Sequence, residues 1–199
     1  MTDHLMHIPI DPHAKALIFD LDGTLADTMP AHREAWVKAA NFFGAPMTEE
    51  MVQAWAGMAS YKIVGMLNEK FQLKMDPVQV SQKKAAFFFE IQGTGIRPID
   101  PIFEIAKKYK DVLPLGIGTG SRRPNAIKIL EGLNALTWFQ SIVSADDVVH
   151  HKPAPDTYLK CANELGVHPT DCVVFEDADF GIQAARDAGM KVIDIRAYL

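Results

Sequence analysis

The feature that most constrains this chain is a set of short apolar runs that do not alternate with polar residues. Ala16–Asp20 (ALIFD), Leu113–Thr119 (LPLGIGT), Cys172–Glu176 (CVVFE) and Lys191–Ile195 (KVIDI) form the set, with Ser141–Ser144 (SIVS) as a weaker fifth. Successive strand residues point to opposite faces, so a strand apolar on both must be covered on both. Helical periodicity separates the later runs. Residues 124–133 carry Ile127, Ile129, Leu130 and Leu133, residues 155–165 carry Tyr158, Leu159, Ala162 and Leu165, and residues 180–188 end at Gly189, a residue suited to a helix C-terminus. Strand, helix, strand in succession predicts an α/β, Rossmann-like parallel sheet with right-handed crossovers and helices on both faces.

Residues 27–98 break that rhythm. They hold no convincing strand and four helical patterns, at 31–43, 48–56, 60–71 and 77–92. In the third, Ile63, Val64, Leu67 and Phe71 share one face. Thr48 before Glu49-Glu50 and Asp76 before Pro77 read as helix N-caps. The expected organisation is an α/β core made of residues 1–26 and 99–199, with a small helical cap domain inserted at 27–98. Core plus insertion suits 199 residues.

Composition narrows the class of partner. Hydrophobic residues make up 48% and charged residues 23%, as in soluble globular proteins, and the formal net charge is −5 with no basic stripe. Nucleic acid and anionic membrane surfaces are therefore not expected partners. No stretch approaches the ~18 apolar residues of a membrane span, and the first residues lack the pattern of a signal peptide. Two cysteines, Cys161 and Cys172, do not make a disulfide framework. A cytoplasmic protein, monomeric or a weak homodimer, is the expectation.

The first run leads directly into Asp20-Leu21-Asp22-Gly23-Thr24. Ligands of open α/β sheets bind beyond the carboxyl ends of the strands, where these carboxylates fall. Asp20 and Asp22 would point the same way, and two converging carboxylates need a positive partner. A hard divalent cation suits oxygen ligands, and Mg²⁺ is the usual one beside phosphate. Gly23 lets the chain turn away. Three further polar elements end strands of the same sheet: Thr119-Gly120-Ser121, Lys152-Pro153 and Glu176-Asp177. Each alone has an ordinary structural reading, as a cap, a surface lysine or an acidic helix start; their joint occurrence in this order does not.

From Ala16 onward the chain resembles the haloacid-dehalogenase superfamily, through the runs DLDGTLADT, GTGSR, HHKPAPDTY and VVFEDADFGIQAARDAG. Within it the chain is similar to the β-phosphoglucomutase-like branch with a helical cap, and most of all to bacterial sugar-phosphate phosphatases of the fructose-1-phosphatase kind. The resemblance implies a Mg²⁺-dependent phosphatase acting on a small phosphorylated metabolite. It implies Asp20 as nucleophile and Asp22 as the group that protonates the leaving oxygen and then deprotonates water. The metal would be held by Asp20, the Asp22 main-chain carbonyl and Asp177, with Glu176 acting directly or through water. Thr119, Gly120 and Ser121 would bind the phosphoryl group, and Lys152 would offset its charge. The second aspartate favours phosphate esters over dehalogenation, because a halide needs no proton on leaving.

In the cap, Thr28 and His32 match a Thr-x-x-x-His pattern of that branch, with Trp36 one turn on. Gly57 resembles a cap-loop glycine facing the active site. Lys84 resembles a cap lysine of several relatives, although a solvated lysine is the commoner case. The related mutases carry an arginine at the position of Ser60, where it grips a second phosphate; its absence favours a phosphatase over a mutase. Gly116–Gly120 is not a dinucleotide fingerprint, because Ser121 stands at its third glycine. Histidines 4, 7, 13, 150 and 151 have no cysteine near them to suggest zinc. Of Phe87, Phe88 and Phe89, not all can share one helix face, and ordinary cap packing is expected of them.

Overall fold

A computed structural model describes residues 8–55, 58, 60–93 and 95–199. In chain order the regular elements are β1 (Ala16–Phe19), α1 (Met29–Phe42), α2 (Glu49–Ala54), α3 (Ser60–Phe71), α4 (Pro77–Gln92), α5 (Asp100–Tyr109) and β2 (Leu115–Gly118). They continue with α6 (Arg123–Gly132), β3 (Ser141–Val143), α7 (Asp156–Leu165), β4 (Cys172–Glu176), α8 (Asp179–Asp187) and β5 (Lys191–Asp194). The chain divides into two compact units, with boundaries at Asp27/Thr28 and Ile96/Arg97.

The five expected strands form one parallel sheet of order β3-β2-β1-β4-β5, so β1 lies at its centre. All four β1 residues are fully buried, as a strand covered on both faces must be. Ala16 and Ile18 join the apolar cluster of α7 and α8, with Tyr158, Cys161, Ala184 and Ala185. Phe19 stacks on Phe175 with ring centroids 4.7 Å apart. Burying each such ring contributes on the order of 2–3 kcal/mol. Helix α8 ends with Gly189 at φ +74°, the left-handed residue its sequence position foretells.

Among the described residues the structure adds one α-helix to those expected, α5. Pro101 occupies its first turn, and Ile102 and Ala106, one turn apart, are its buried positions. Two buried residues make too short a stripe to stand out beside the lysine-rich end of the helix.

Among the described residues of the inserted unit, the regular elements are all helices. Trp36, Ala40, Met47, Ile63, Val64, Leu67, Met75 and Val80 make its core. The Thr48 hydroxyl accepts from the Met51 N–H, and the Asp76 carboxylate accepts from the N–H groups of Val78 and Gln79, so both expected caps are present. Phe88 is fully buried, and its neighbours Phe87 and Phe89 are partly so. Among the described residues, no helix is long and apolar enough to cross a membrane.

Candidate active site

The site lies at the carboxyl ends of β1, β2 and β4, and the residues described next belong to the core unit. Asp20 follows β1 directly, and its backbone N–H donates to the Phe175 carbonyl at 3.0 Å, so β4 holds its position. Three residues on, the chain reverses: Gly23 sits at φ +92°, where a Cβ is strained, and its N–H donates to Ala26 O at 2.9 Å. That turn leaves Asp22 half-buried, with Oδ2 accepting from the Ser121 hydroxyl at 2.6 Å. After β2, the Thr119 hydroxyl oxygen accepts from the Ser121 N–H at 3.0 Å, which folds Thr119-Gly120-Ser121 into a tight turn.

Lys152 links the end of β1 to the end of β4. Its ammonium donates to Asp20 Oδ1 at 2.8 Å and to Glu176 Oε2 at 2.7 Å. Tyr158, from α7, donates its hydroxyl to the same Glu176 oxygen at 2.5 Å, and its ring face lies 4.6 Å from the ammonium. The other Glu176 oxygen accepts from the Asp177 and Ala178 N–H groups at 3.2 and 3.0 Å. The Thr24 hydroxyl donates to Asp177 Oδ1 at 2.7 Å.

Two glycines make the close packing possible. A Cβ on Gly181, in the first turn of α8, would lie 1.9 Å from Glu176 Oε2; on Gly118 it would lie 2.9 Å from the Tyr158 ring. Neither distance is tolerable, so helix and strand need glycine there.

The electrostatics show a deficit of positive charge. Asp20 is 6% exposed and Glu176 1%, with the Lys152 ammonium between them. Burial, reinforced by Glu176, pushes the Asp20 carboxyl well above the usual range despite Lys152. Burial likewise pushes Asp177 up to about 6; the Thr24 hydrogen bond opposes this and Glu176 adds to it. Burial works against the Lys152 ammonium, but Asp20 and Glu176 outweigh it and hold its pKa above the ordinary lysine value.

Carboxylate oxygens of Asp20, Glu176 and Asp177 lie within 4.8 Å of one another. Three carboxylates against one ammonium, all on hard oxygen donors, form a set that fits a divalent cation of the Mg²⁺ type.

Among the residues expected at the site, the core thus brings together Asp20, Asp22, Thr119, Ser121, Lys152, Glu176 and Asp177, with Gly120 exposed in the turn. Thr28, His32 and Lys84 belong to the other unit. There Thr28 precedes α1 and is fully buried, and His32 stacks on Phe88 with centroids 4.1 Å apart. The Lys84 ammonium lies 2.7 Å from His32 Nδ1 and 5.8 Å from the Trp36 ring. Lys84 is therefore not the solvated lysine that is the commoner case: it is half-buried in the packing of α1 against α4, which brings residues 52 positions apart together. Gly57 lies outside the described residues.

Thr24, Tyr158, Gly118 and Gly181 complete the site without having been expected in it. Thr24 had a signal in its place beside the DxDG turn. The other three owe their roles to packing between distant elements, which spacing along the chain does not reveal.

The likenesses of the chain agree with this arrangement. A family model described as haloacid dehalogenase-like hydrolase matches residues 17–195. Fructose-1-phosphate phosphatase YqaB of Escherichia coli (strain K12) is 41% identical over 180 residues, covering 90% of this chain and 95% of that protein. The crystal structure of CbbY from Rhodobacter sphaeroides in complex with phosphate is 25% identical with a TM-score of 0.79, covering 90% of this chain and 84% of that one. A β-phosphoglucomutase from Clostridium difficile is 26% identical, again with a TM-score of 0.79, over 90% and 83% of the two chains. With a family match over nearly its whole length, this chain belongs to the haloacid dehalogenase-like hydrolases.

Proposed function

We propose that the protein is a cytoplasmic Mg²⁺-dependent phosphatase that hydrolyses a small sugar phosphate, fructose 1-phosphate being the favoured candidate, through an aspartyl-phosphate on Asp20. The observation that carries the reading is the buried lysine shared by Asp20 and Glu176, beside the third carboxylate of Asp177. Such a site is prepared for an added cation and for the negative charge of a phosphoryl group. The relative of known name at 41% identity supports the substrate class.

In the proposed reaction an Asp20 carboxylate oxygen attacks phosphorus, the ester P–O bond breaks, and the Asp22 carboxyl gives its proton to the departing sugar oxygen. Asp22, now ionised, takes a proton from a water that attacks the same phosphorus. The bond to Asp20 breaks, releasing inorganic phosphate and the free carboxylate. Thr119 and the Gly120 N–H would hold phosphoryl oxygens, and Lys152 would keep Asp20 ionised and offset the charge. Asp20, the Asp22 main-chain carbonyl and Asp177 would hold Mg²⁺, with Glu176 acting directly or through water. Bound there, the cation supplies positive charge to the phosphoryl oxygens. Little else is required, because phosphoryl transfer depends mostly on positioning and charge. Substrate choice is assigned to the cap, with His32 and Lys84 as its polar pair.

Hydrolysis of para-nitrophenyl phosphate tests the chemistry. EDTA should abolish it, Mg²⁺ should restore it, and Asp20→Asn should remove it; turnover that persists in Asp20→Asn refutes the assignment. A panel of phosphorylated sugars, polyols and nucleotides, read for both inorganic phosphate and isomerised product, then separates phosphatase from mutase.

A further inference from the structure

We propose that Ser121 is a positioning residue that aims the Asp22 carboxylate, rather than a direct ligand of the phosphoryl group; the proposal rests on the phosphatase reading above. Its backbone is held on both sides. The Ser121 N–H donates to Thr119 Oγ1 at 3.0 Å, and its carbonyl accepts from the Ala145 N–H at 2.9 Å. With both peptide groups fixed, the side chain is directed at the turn after β1, where its hydroxyl donates to Asp22 Oδ2 at 2.6 Å. That is the length of a hydroxyl–carboxylate hydrogen bond, among the stronger kinds. It spans 99 positions of chain, so it sets the loop after β2 against the loop after β1.

The choice of a hydroxyl suits a partner that must alternate. A backbone N–H or an ammonium only donates and favours the ionised carboxylate throughout. A hydroxyl donates to the carboxylate and, after rotating, accepts from the carboxyl. Ser121 therefore keeps Asp22 in one orientation while Asp22 gives a proton in the first half-reaction and takes one in the second. Thr119, two residues earlier, has its own oxygen engaged with the Ser121 N–H, so the turn divides its labour between the two side chains.

The test compares Ser121→Ala and Ser121→Thr with the wild type on fructose 1-phosphate and para-nitrophenyl phosphate, both with Mg²⁺. Nitrophenolate departs without a proton, whereas a sugar oxygen needs one. Ser121→Ala should lower kcat for fructose 1-phosphate about tenfold or more with KM within about twofold, part of what general acid–base catalysis contributes. The pre-steady-state burst of nitrophenolate, which reports phosphorylation of Asp20, should stay within about threefold of wild type. Ser121→Thr, which keeps a hydroxyl, should recover most of kcat. Three results overturn the positioning role: a raised KM for both substrates at unchanged kcat, an equal loss in the burst and in fructose 1-phosphate turnover, or a Ser121→Thr as impaired as Ser121→Ala. Each leaves the phosphatase reading standing, whereas wild-type protein without Asp20-dependent turnover overturns both.

Discussion

At the scale of single residues, the site is a problem of charge that the protein solves only in part. One ammonium, Lys152, is shared by Asp20 and Glu176 and faces three clustered carboxylates, and the pKa values of Asp20 and Asp177 are raised. A carboxyl whose folded pKa lies above its unfolded one, ~3.9 for Asp, stabilises the fold at low pH. For Asp177 that contribution is complete below about pH 4 and is lost as pH rises through about 6. Asp20 acts in the same direction. In EDTA, therefore, stability should drain away as the solution is made neutral. Mg²⁺ bound by the carboxylates would remove that loss, so its effect on the thermal midpoint should be larger near pH 7.5 than near pH 5.5. Each kcal/mol is worth about 2–4 °C in a chain of this size. Differential scanning calorimetry at the two pH values, with and without Mg²⁺, measures the difference directly; an equal gain at both would contradict it.

At the scale of elements, the buried ends of strands and helices show what a sequence can and cannot disclose. The strands were legible because covering both faces of a strand demands an unbroken apolar run, as in Ala16–Phe19 and Cys172–Glu176. The acidic and hydroxyl residues at their ends were legible because their order along the chain matches a family. Tyr158 was not: an aromatic at helical spacing reads as core, and only the packing of α7 on the sheet turns its hydroxyl onto Glu176. Gly181 was equally silent, since a glycine in the first turn of a helix has no pattern that marks it. Its role yields a prediction. Gly181→Ala places a methyl where Glu176 Oε2 now lies, so either α8 or the carboxylate must move. Overpacking of this kind costs roughly 1–3 kcal/mol. The variant should melt a few degrees lower and lose most of its phosphatase activity, as thermal melts and steady-state rates will show. A fully active Gly181→Ala would mean that Glu176 need not stay where it is.

At the scale of the whole molecule, the chain folds as two compact units. The insertion leaves the core and returns to it at adjoining points: the Asp27 N–H donates to the Arg97 carbonyl at 2.9 Å, and Ala26 pairs with Pro98. A short glycine linker can therefore join Asp27 to Arg97 in place of residues 28–96. Among the described residues, the side chains hydrogen-bonded around Lys152 (Asp20, Tyr158 and Glu176) belong to the remaining unit. The shortened protein should unfold cooperatively, gain stability from Mg²⁺ and hydrolyse para-nitrophenyl phosphate, while losing its discrimination among sugar phosphates. Loss of the Mg²⁺ response would place part of the metal site in the cap. The proposed chemistry begins with the covalent step at the end of β1. Asp22→Asn, which cannot deprotonate water, should trap the phosphoryl group when mixed with para-nitrophenyl phosphate and Mg²⁺. Peptide mass spectrometry of the acid-quenched protein should then find that group on Asp20, and should find none when EDTA replaces Mg²⁺. A phosphoryl group on any other residue, or rapid turnover with Asp20 never modified, would contradict the account.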